Sequence, residues 1–183
     1  MNPDRPWYRE PETFIAVAAL IVSVSAVVVG IYEAELQRAH DRAEVWPRIE
    51  VSTYTMPKGA ALYLDNNGIG PAIIKSVSVR VDGRARTSWP DALEALLAHK
   101  VSMFESSSVV ERAIRAGERV TMVAISASDV PTPFWPTVAR VSVSVCYASV
   151  YGEQWMVTDA KLGGSSVWTS VKECPKQAPG EDF

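Results

Sequence analysis

Phe14 to Tyr32 reads FIAVAALIVSVSAVVVGIY, nineteen residues without a charged side chain. At ~1.5 Å of rise per residue, a helix of this length reaches ~28 Å, close to the hydrocarbon thickness of a bilayer. Eleven of the nineteen are Phe, Ile, Leu or Val, each favourable by roughly 0.3 to 0.6 kcal/mol at mid-bilayer, which outweighs the two serines. The pattern predicts a transmembrane helix over 13–32, with the lipid bilayer as its first partner. A cleaved signal peptide fits less well. Arg5 and Arg9 are offset by Asp4, Glu10 and Glu12, the apolar core exceeds the usual length, and no A-x-A site follows. Two arginines precede the span and three follow it (Arg38, Arg42 and Arg48), so the positive-inside count leaves orientation open.

Upstream, residues 1–12 carry three prolines and five charges and are expected to form a disordered flank, with Trp7 and Tyr8 at the height of an interfacial aromatic belt. Inside the span, Ala16, Ala19, Ser23, Ala26 and Gly30 recur at spacings of three and four. That repeat puts five small side chains on one helix face, where a second copy can approach closely. Downstream, residues 33–46 are rich in Glu, Ala, Gln and Arg without a wide apolar stripe, which predicts that the helix continues as a solvated stalk. His40 reads as a surface residue of that stalk. Pro47 ends the helix and pushes Trp46 toward extended backbone.

From Arg48 the apolar period changes from 3.6 to 2. Ile49, Val51 and Thr53 alternate with Glu50, Ser52 and Tyr54, and later Val141, Val143, Val145 and Tyr147 alternate with Ser142, Ser144 and Cys146. Further strands are expected over 60–64, 72–81, 119–126, 154–158 and 165–171. Turns are expected at Gly59, at Asp82-Gly83, which is a strong hairpin signal, and at Gly152. Ser88 is a helix cap with Asp91 three residues on, opening one short helix, DALEALLAH. Residues 129–136, DVPTPFWP, hold three prolines and are expected to be a loop. The fold class is therefore mainly β: a span and stalk, then an immunoglobulin-like antiparallel sandwich of about seven to eight strands over 47–174, and a flexible tail over 175–183. The cysteine pair around a buried Trp that marks true immunoglobulin domains is missing, so the likeness is architectural.

A net charge of −3 with 18 scattered basic residues leaves no footprint for nucleic acid. Asp65-Asn66-Asn67-Gly68-Ile69-Gly70-Pro71 lacks the third glycine and following helix of a phosphate loop and the ligand spacing of a calcium loop. It reads as a bend in which Gly68 and Gly70 take positive φ and Pro71 fixes the exit. His99 is the one histidine of the β region, and it follows the short helix, where capping or surface exposure suits it better than catalysis. No catalytic, cofactor-binding or metal-binding residue is assigned, and carboxylates such as Asp129 and Glu153 cannot be paired from sequence. Cys146 and Cys174 form either one bridge in an oxidising compartment or two thiols in a reducing one. Of the six tryptophans, Trp46, Trp89 and Trp135 precede prolines, and those near Trp46 are candidates for a membrane-proximal or partner-binding surface.

The anchor, the stalk ending in Trp46-Pro47-Arg48, the segment Asn67-Gly68-Ile69-Gly70-Pro71-Ala72 and the segment Cys146-Tyr147-Ala148-Ser149-Val150-Tyr151-Gly152-Glu153-Gln154-Trp155 together resemble a broad group of bacterial single-pass membrane proteins. The resemblance covers most of the chain through structural turns and brings no catalytic residues. It implies a bacterial inner membrane, with the β domain more usually on the periplasmic side. The expected function is a non-enzymatic module that binds another protein or itself. The alternatives are a small-ligand sensor signalling through the stalk and, less favoured, a hydrolase. A sensor requires a concave apolar pocket with convergent polar groups, whereas an interaction module requires an exposed apolar patch.

Overall fold

The computed structural model describes residues 11–101, 103–159, 162 and 165–183. The chain divides into two units, Met1–Ala43 and Glu44–Phe183. The first contains most of a single helix, α1 (Pro11–Glu44). At ~1.5 Å per residue its 34 residues run to about 51 Å, long enough for a span and a stalk without a break. The apolar side chains of the span are exposed, Val22 at 68% and Leu20 at 64%. This is one helix long and apolar enough to cross a membrane.

The second unit holds ten strands and two further α-helices among the described residues. Strands β1 (Ile49–Met56), β2 (Gly59–Asn66), β5 (Phe104–Ser106) and β7 (Arg119–Ser126) form a four-stranded sheet in the order β1-β2-β7-β5. The larger sheet runs β10-β9-β8-β3-β4, with β6 also on β3. Its strands are β3 (Ala72–Val81), β4 (Arg84–Ala85), β6 (Ala113–Ile114), β8 (Val141–Ala148), β9 (Gln154–Asp159) and β10 (Val167–Val171). Among the described residues all pairings between these strands are antiparallel. The arrangement is sandwich-like: Ile49, Val51, Leu62 and Leu64 of one sheet share a core with Val77, Val79, Val143, Val145 and Val157 of the other. The strand count exceeds the seven to eight expected because β4, β5 and β6 have only two or three residues, too few to display a period-2 pattern.

Two register shifts were also invisible. Between Ile74 and Ser76 an extra residue, Lys75, bulges opposite β8. Inward phase therefore passes from Ile74 to Val77 rather than to Ser76. A second shift lies between Leu62 and Tyr63 opposite β7.

Helix α2 (Trp89–Leu97) starts as its sequence directs: Ser88 Oγ accepts from Asp91 N at 3.4 Å, and Asp91 Oδ2 accepts from Thr87 N at 3.1 Å. Trp89, Ala92 and Leu93 are buried. The proline-rich stretch 129–136 differs from its expectation as a pure loop, since Phe134–Val138 is a short helix, α3. Pro136 sits in its first turn, where no intrahelical N–H bond is lost.

The segment 175–183 also differs from the frayed tail expected, because it is packed on the larger sheet. Gln177 pairs through its amide with both backbone groups of Val77, at 2.9 and 3.0 Å. Asp182 N donates to Thr87 O at 2.8 Å. Phe183 is 1% exposed, edge-on to Trp89 at 5.3 Å, and its carbonyl accepts from Val109 N and Ser108 Oγ. A buried ring supplies what a polar composition hid.

Candidate functional site

The segment from Asp65 to Pro71 organises one end of the β unit, by a route other than the one anticipated. Gly68 and Gly70 are absent from the positive-φ residues. They are required instead by close backbone approach. A Cβ on Gly68 would lie 2.3 Å from Arg48 N, and one on Gly70 would lie 1.9 Å from Val45 O. The loop wraps the segment Val45–Arg48, with Ile69 N donating to Trp46 O at 3.0 Å and Asn67 N to Arg48 O at 2.8 Å. Asn66 is 0% exposed and sits at the centre. Its Oδ1 accepts from Arg48 N and Gly68 N, and its Nδ2 donates to Gly70 O and Ile114 O. Every side-chain capacity of a buried amide is thereby used.

Around this clamp lies an aromatic groove of about 330 Å³. Trp46 stacks on Trp155, with centroids 5.8 Å apart and planes at 23°, and Trp155 stacks in turn on Tyr147 at 5.8 Å and 29°. Tyr147 is the buried end of this ladder at 1% exposed, and Trp46 is the open end at 55%. Burial pushes the Tyr147 phenol's pKa up, against the opposing pull of Ile49 and the Arg48 charge. Beside the ladder, the Arg48 guanidinium lies over the Trp168 ring, 4.4 Å from its centroid. Trp168 Nε1 donates to Ile49 O at 2.7 Å. Asn67 on the rim donates to Glu50 Oε2 at 2.7 Å, and Ile69 projects beside it, 66% exposed.

A second surface lies on the outer face of the four-stranded sheet. Here the short side chains Gly59, Ala61 and Ala124 leave an open trough of about 680 Å³, rimmed by Met56, Met103 and Phe104. Met56 is 49% exposed, Met103 75% and the neighbouring Tyr54 46%. At one side, Arg119 lies over Tyr54 and Tyr63, 5.1 and 5.0 Å from their centroids, and its Nε bonds the buried Asp65, which also accepts from Ser52 Oγ. The Asp65 carboxylate raises the Arg119 pKa further, so this cation belongs to the sheet's scaffold.

The other residues singled out from sequence fall as follows. Cys146 and Cys174 are joined in a disulfide, with Cα atoms 5.7 Å apart, which ties the tail to β8. Ala16, Ala19, Ser23, Ala26 and Gly30 all lie on α1, and the Ser23 hydroxyl is spent on Ala19 O at 2.8 Å. Asp82 and Gly83 both take positive φ and turn β3 into β4; Gly152 does the same at φ 86° between β8 and β9. His99 faces Asp129 through Nε2 at 3.3 Å and Leu97 O through Nδ1 at 3.1 Å. Ser126 and Ser128 bond Asp129 rather than the imidazole, and their hydroxyls with His99 hold the Asp129 pKa down. A histidine that activates a serine needs that hydroxyl on its own ring, so the cluster is not arranged as a nucleophile triad. Glu153 belongs to a different turn, where it accepts from Ser149 Oγ at 2.9 Å. Among the described residues no group of three or more His, Cys, Asp or Glu converges as a metal site.

Sequence reading pointed to Trp46 but missed Arg48, Tyr147, Trp155 and Trp168 as its companions, and it missed the sheet trough altogether. Compared with protein-family models, curated proteins and solved structures, the chain matches none.

Proposed function

We propose that this chain is a membrane-anchored, non-enzymatic interaction module. In this reading the 13–32 span holds an immunoglobulin-like β domain at a bacterial inner membrane, and the domain docks another protein. One observation carries it: the trough on the four-stranded sheet, where the exposed Met56 and Met103 and the half-buried Phe104 border Ala61 and Ala124. Large exposed apolar side chains around a shallow floor suit a protein surface, because methionine adapts its shape to what it meets. The Cys146–Cys174 bridge supports a periplasmic, oxidising location. Self-assembly through Ala16, Ala19, Ser23, Ala26 and Gly30 is a second part of the reading, favoured by their common face.

A photo-crosslinking residue at Met103, in the full chain in its native membrane, tests the docking reading. Specific adducts are expected there and are expected to disappear with Met56→Glu and Ala124→Glu in the trough. Adducts no different from those of the same probe at Lys172 would overturn it. For self-assembly, Ala19→Ile, Ser23→Leu and Ala26→Ile together are expected to abolish cross-linked dimers, and unchanged dimers would remove α1 as the seam.

The sensor alternative has a smaller carrier. An apolar cavity of about 60 Å³ lies beneath α2 and α3, lined by Leu93, Leu96, Phe134 and Val141 among others. Its walls are almost wholly apolar, and the two polar atoms of its lining side chains that have no hydrogen-bond partner among the described residues, Thr53 Oγ1 and Trp89 Nε1, are buried.

A further inference from the structure

The aromatic groove carries chemistry that a protein-docking face does not require. We infer that it binds an acidic glycan: the apolar face of a sugar ring stacks on the open face of Trp46, and a carboxylate on the sugar pairs with Arg48. The argument is independent of the trough.

The stacking half rests on which parts of the rings remain free. Trp46 is 55% exposed while one of its faces is covered by Trp155, so its other face is the available one. Trp168 directs its indole N–H inward to Ile49 O, and the Tyr147 ring is buried at the base of the ladder. A groove that recognises a proline-rich segment uses ring N–H and O–H donors against peptide carbonyls. Here the donor of Trp168 is spent within the fold, and the uncovered face of Trp46 is open for stacking. The groove is also concave and about 330 Å³, at the small end of the ~300–1,000 Å³ range of ligand sites, unlike a protruding patch that dips into lipid.

The acidic half rests on Arg48. Arg48 is exposed, and its guanidinium lies over the Trp168 ring, 4.4 Å from the centroid. Among the described residues no carboxylate forms an ion pair with it. A stacked guanidinium keeps its edge donors in one plane, the geometry that meets a carboxylate with two parallel bonds. Asn67, which lines the groove and donates to Glu50 Oε2 outside it, adds an amide of the kind that orients sugar hydroxyls.

The test uses the full chain in a detergent without a sugar headgroup. The probe is a tetrasaccharide of alternating glucuronic acid and N-acetylglucosamine, followed by calorimetry and tryptophan fluorescence. Binding with a fluorescence change is expected, and none with an uncharged chito-oligosaccharide of equal length. Trp46→Ala is expected to abolish binding, and Arg48→Gln to weaken it roughly tenfold or more, the size of one charge-assisted pair. Arg48→Lys should recover only part, since it keeps the charge and loses the planar fork. Trp46 is exposed, so its variant should keep the parent thermal transition, and a circular-dichroism melt checks this. Failure of the acidic sugar to bind, equal binding of the neutral one, binding unchanged by Trp46→Ala, or preferential binding of a proline-rich peptide or of phosphatidylglycerol vesicles would each overturn the assignment.

Discussion

The tetrapeptide Val-Ser-Val-Ser occurs twice in this chain, at 22–25 and at 141–144, once in the middle of α1 and once in β8. In β8 the two valines share one face and the two serines the other, because successive strand side chains alternate. Val143 is 0% exposed in the core, and Ser144 reaches across to Thr158 Oγ1 at 3.3 Å. In α1 the same residues are spread around the axis, since two positions along a helix turn ~200°. Val24 is 56% exposed, and the serines bond back into their own helix, Ser23 to Ala19 O and Ser25 to Ile21 O. Local pattern therefore does not separate the two. The decision comes from the flanks: the first copy lies inside nineteen uncharged residues, in a helix long and apolar enough to cross a membrane. The second lies between Arg140 and the turn at Gly152, with β3 and β9 on either side.

Placing the same charge in each copy should separate them most widely. Val143→Asp buries an unpaired carboxylate and is expected to cost several kcal/mol, enough to unfold the β domain. Val24→Asp should leave the domain's thermal transition unchanged and raise the cost of insertion by roughly 3 kcal/mol, read as a shift toward the carbonate-extractable fraction. A β domain that melts early with Val24→Asp would break the comparison.

Reduction comes next. The bridge between β8 and the tail spans 28 residues and is expected to contribute about 3 to 4 kcal/mol in the chain-entropy model. Chemical denaturation of Cys146→Ala/Cys174→Ser against the parent measures it, and no change in midpoint would count against a formed bridge. Gly70→Ala follows, since its Cβ would meet Val45 O. A loss of about 1 to 3 kcal/mol is expected for such overpacking. Gly30→Ala in α1, which meets nothing within 4 Å, should leave the domain's stability unchanged.

The smallest effect is that of acid. The Asp82 carboxylate is held below its ordinary pKa by its bonds to Arg140, Glu118 by the Arg115 N–H and then Arg112, and Asp129 by Ser126 and then His99. Folded values below the unfolded ones mean that the stabilisation is present at neutral pH and disappears as pH falls through and below ~4. Because these groups are at the surface, the loss is modest. Melts between neutral and acid pH should show it, and Asp82→Asn should flatten the dependence. A melting temperature that rises on acidification would contradict these assignments.

How far the sequence could be read follows from the range of the forces involved. The α1 helix, the Ser88 cap, the Asp82-Gly83 hairpin and the alternating face of β8 were legible because each is settled by neighbours a few residues apart. The Lys75 bulge was not, since an extra residue is defined only against the strand it opposes. Nor was the aromatic groove: Trp46, Trp155 and Trp168 lie far apart in the chain, and only sheet registers bring them to one end. Gly68 and Gly70 were flagged for the right rigidity and the wrong cause, backbone approach being a tertiary fact.

The pairing of Gln177 with Val77 bears on solubility. Along the outer edge of β3, Ile74 is occupied by Arg112 and Glu111, Val79 by Arg86, and Val81 by β4. Val77 is the gap, and the Gln177 amide fills it in the manner of a peptide group. An open edge with the sequence Ser-Val-Ser-Val would be a template for another chain's strand. The tail thus acts as a guard against aggregation, and its removal would appear first as domains sticking to one another through β3.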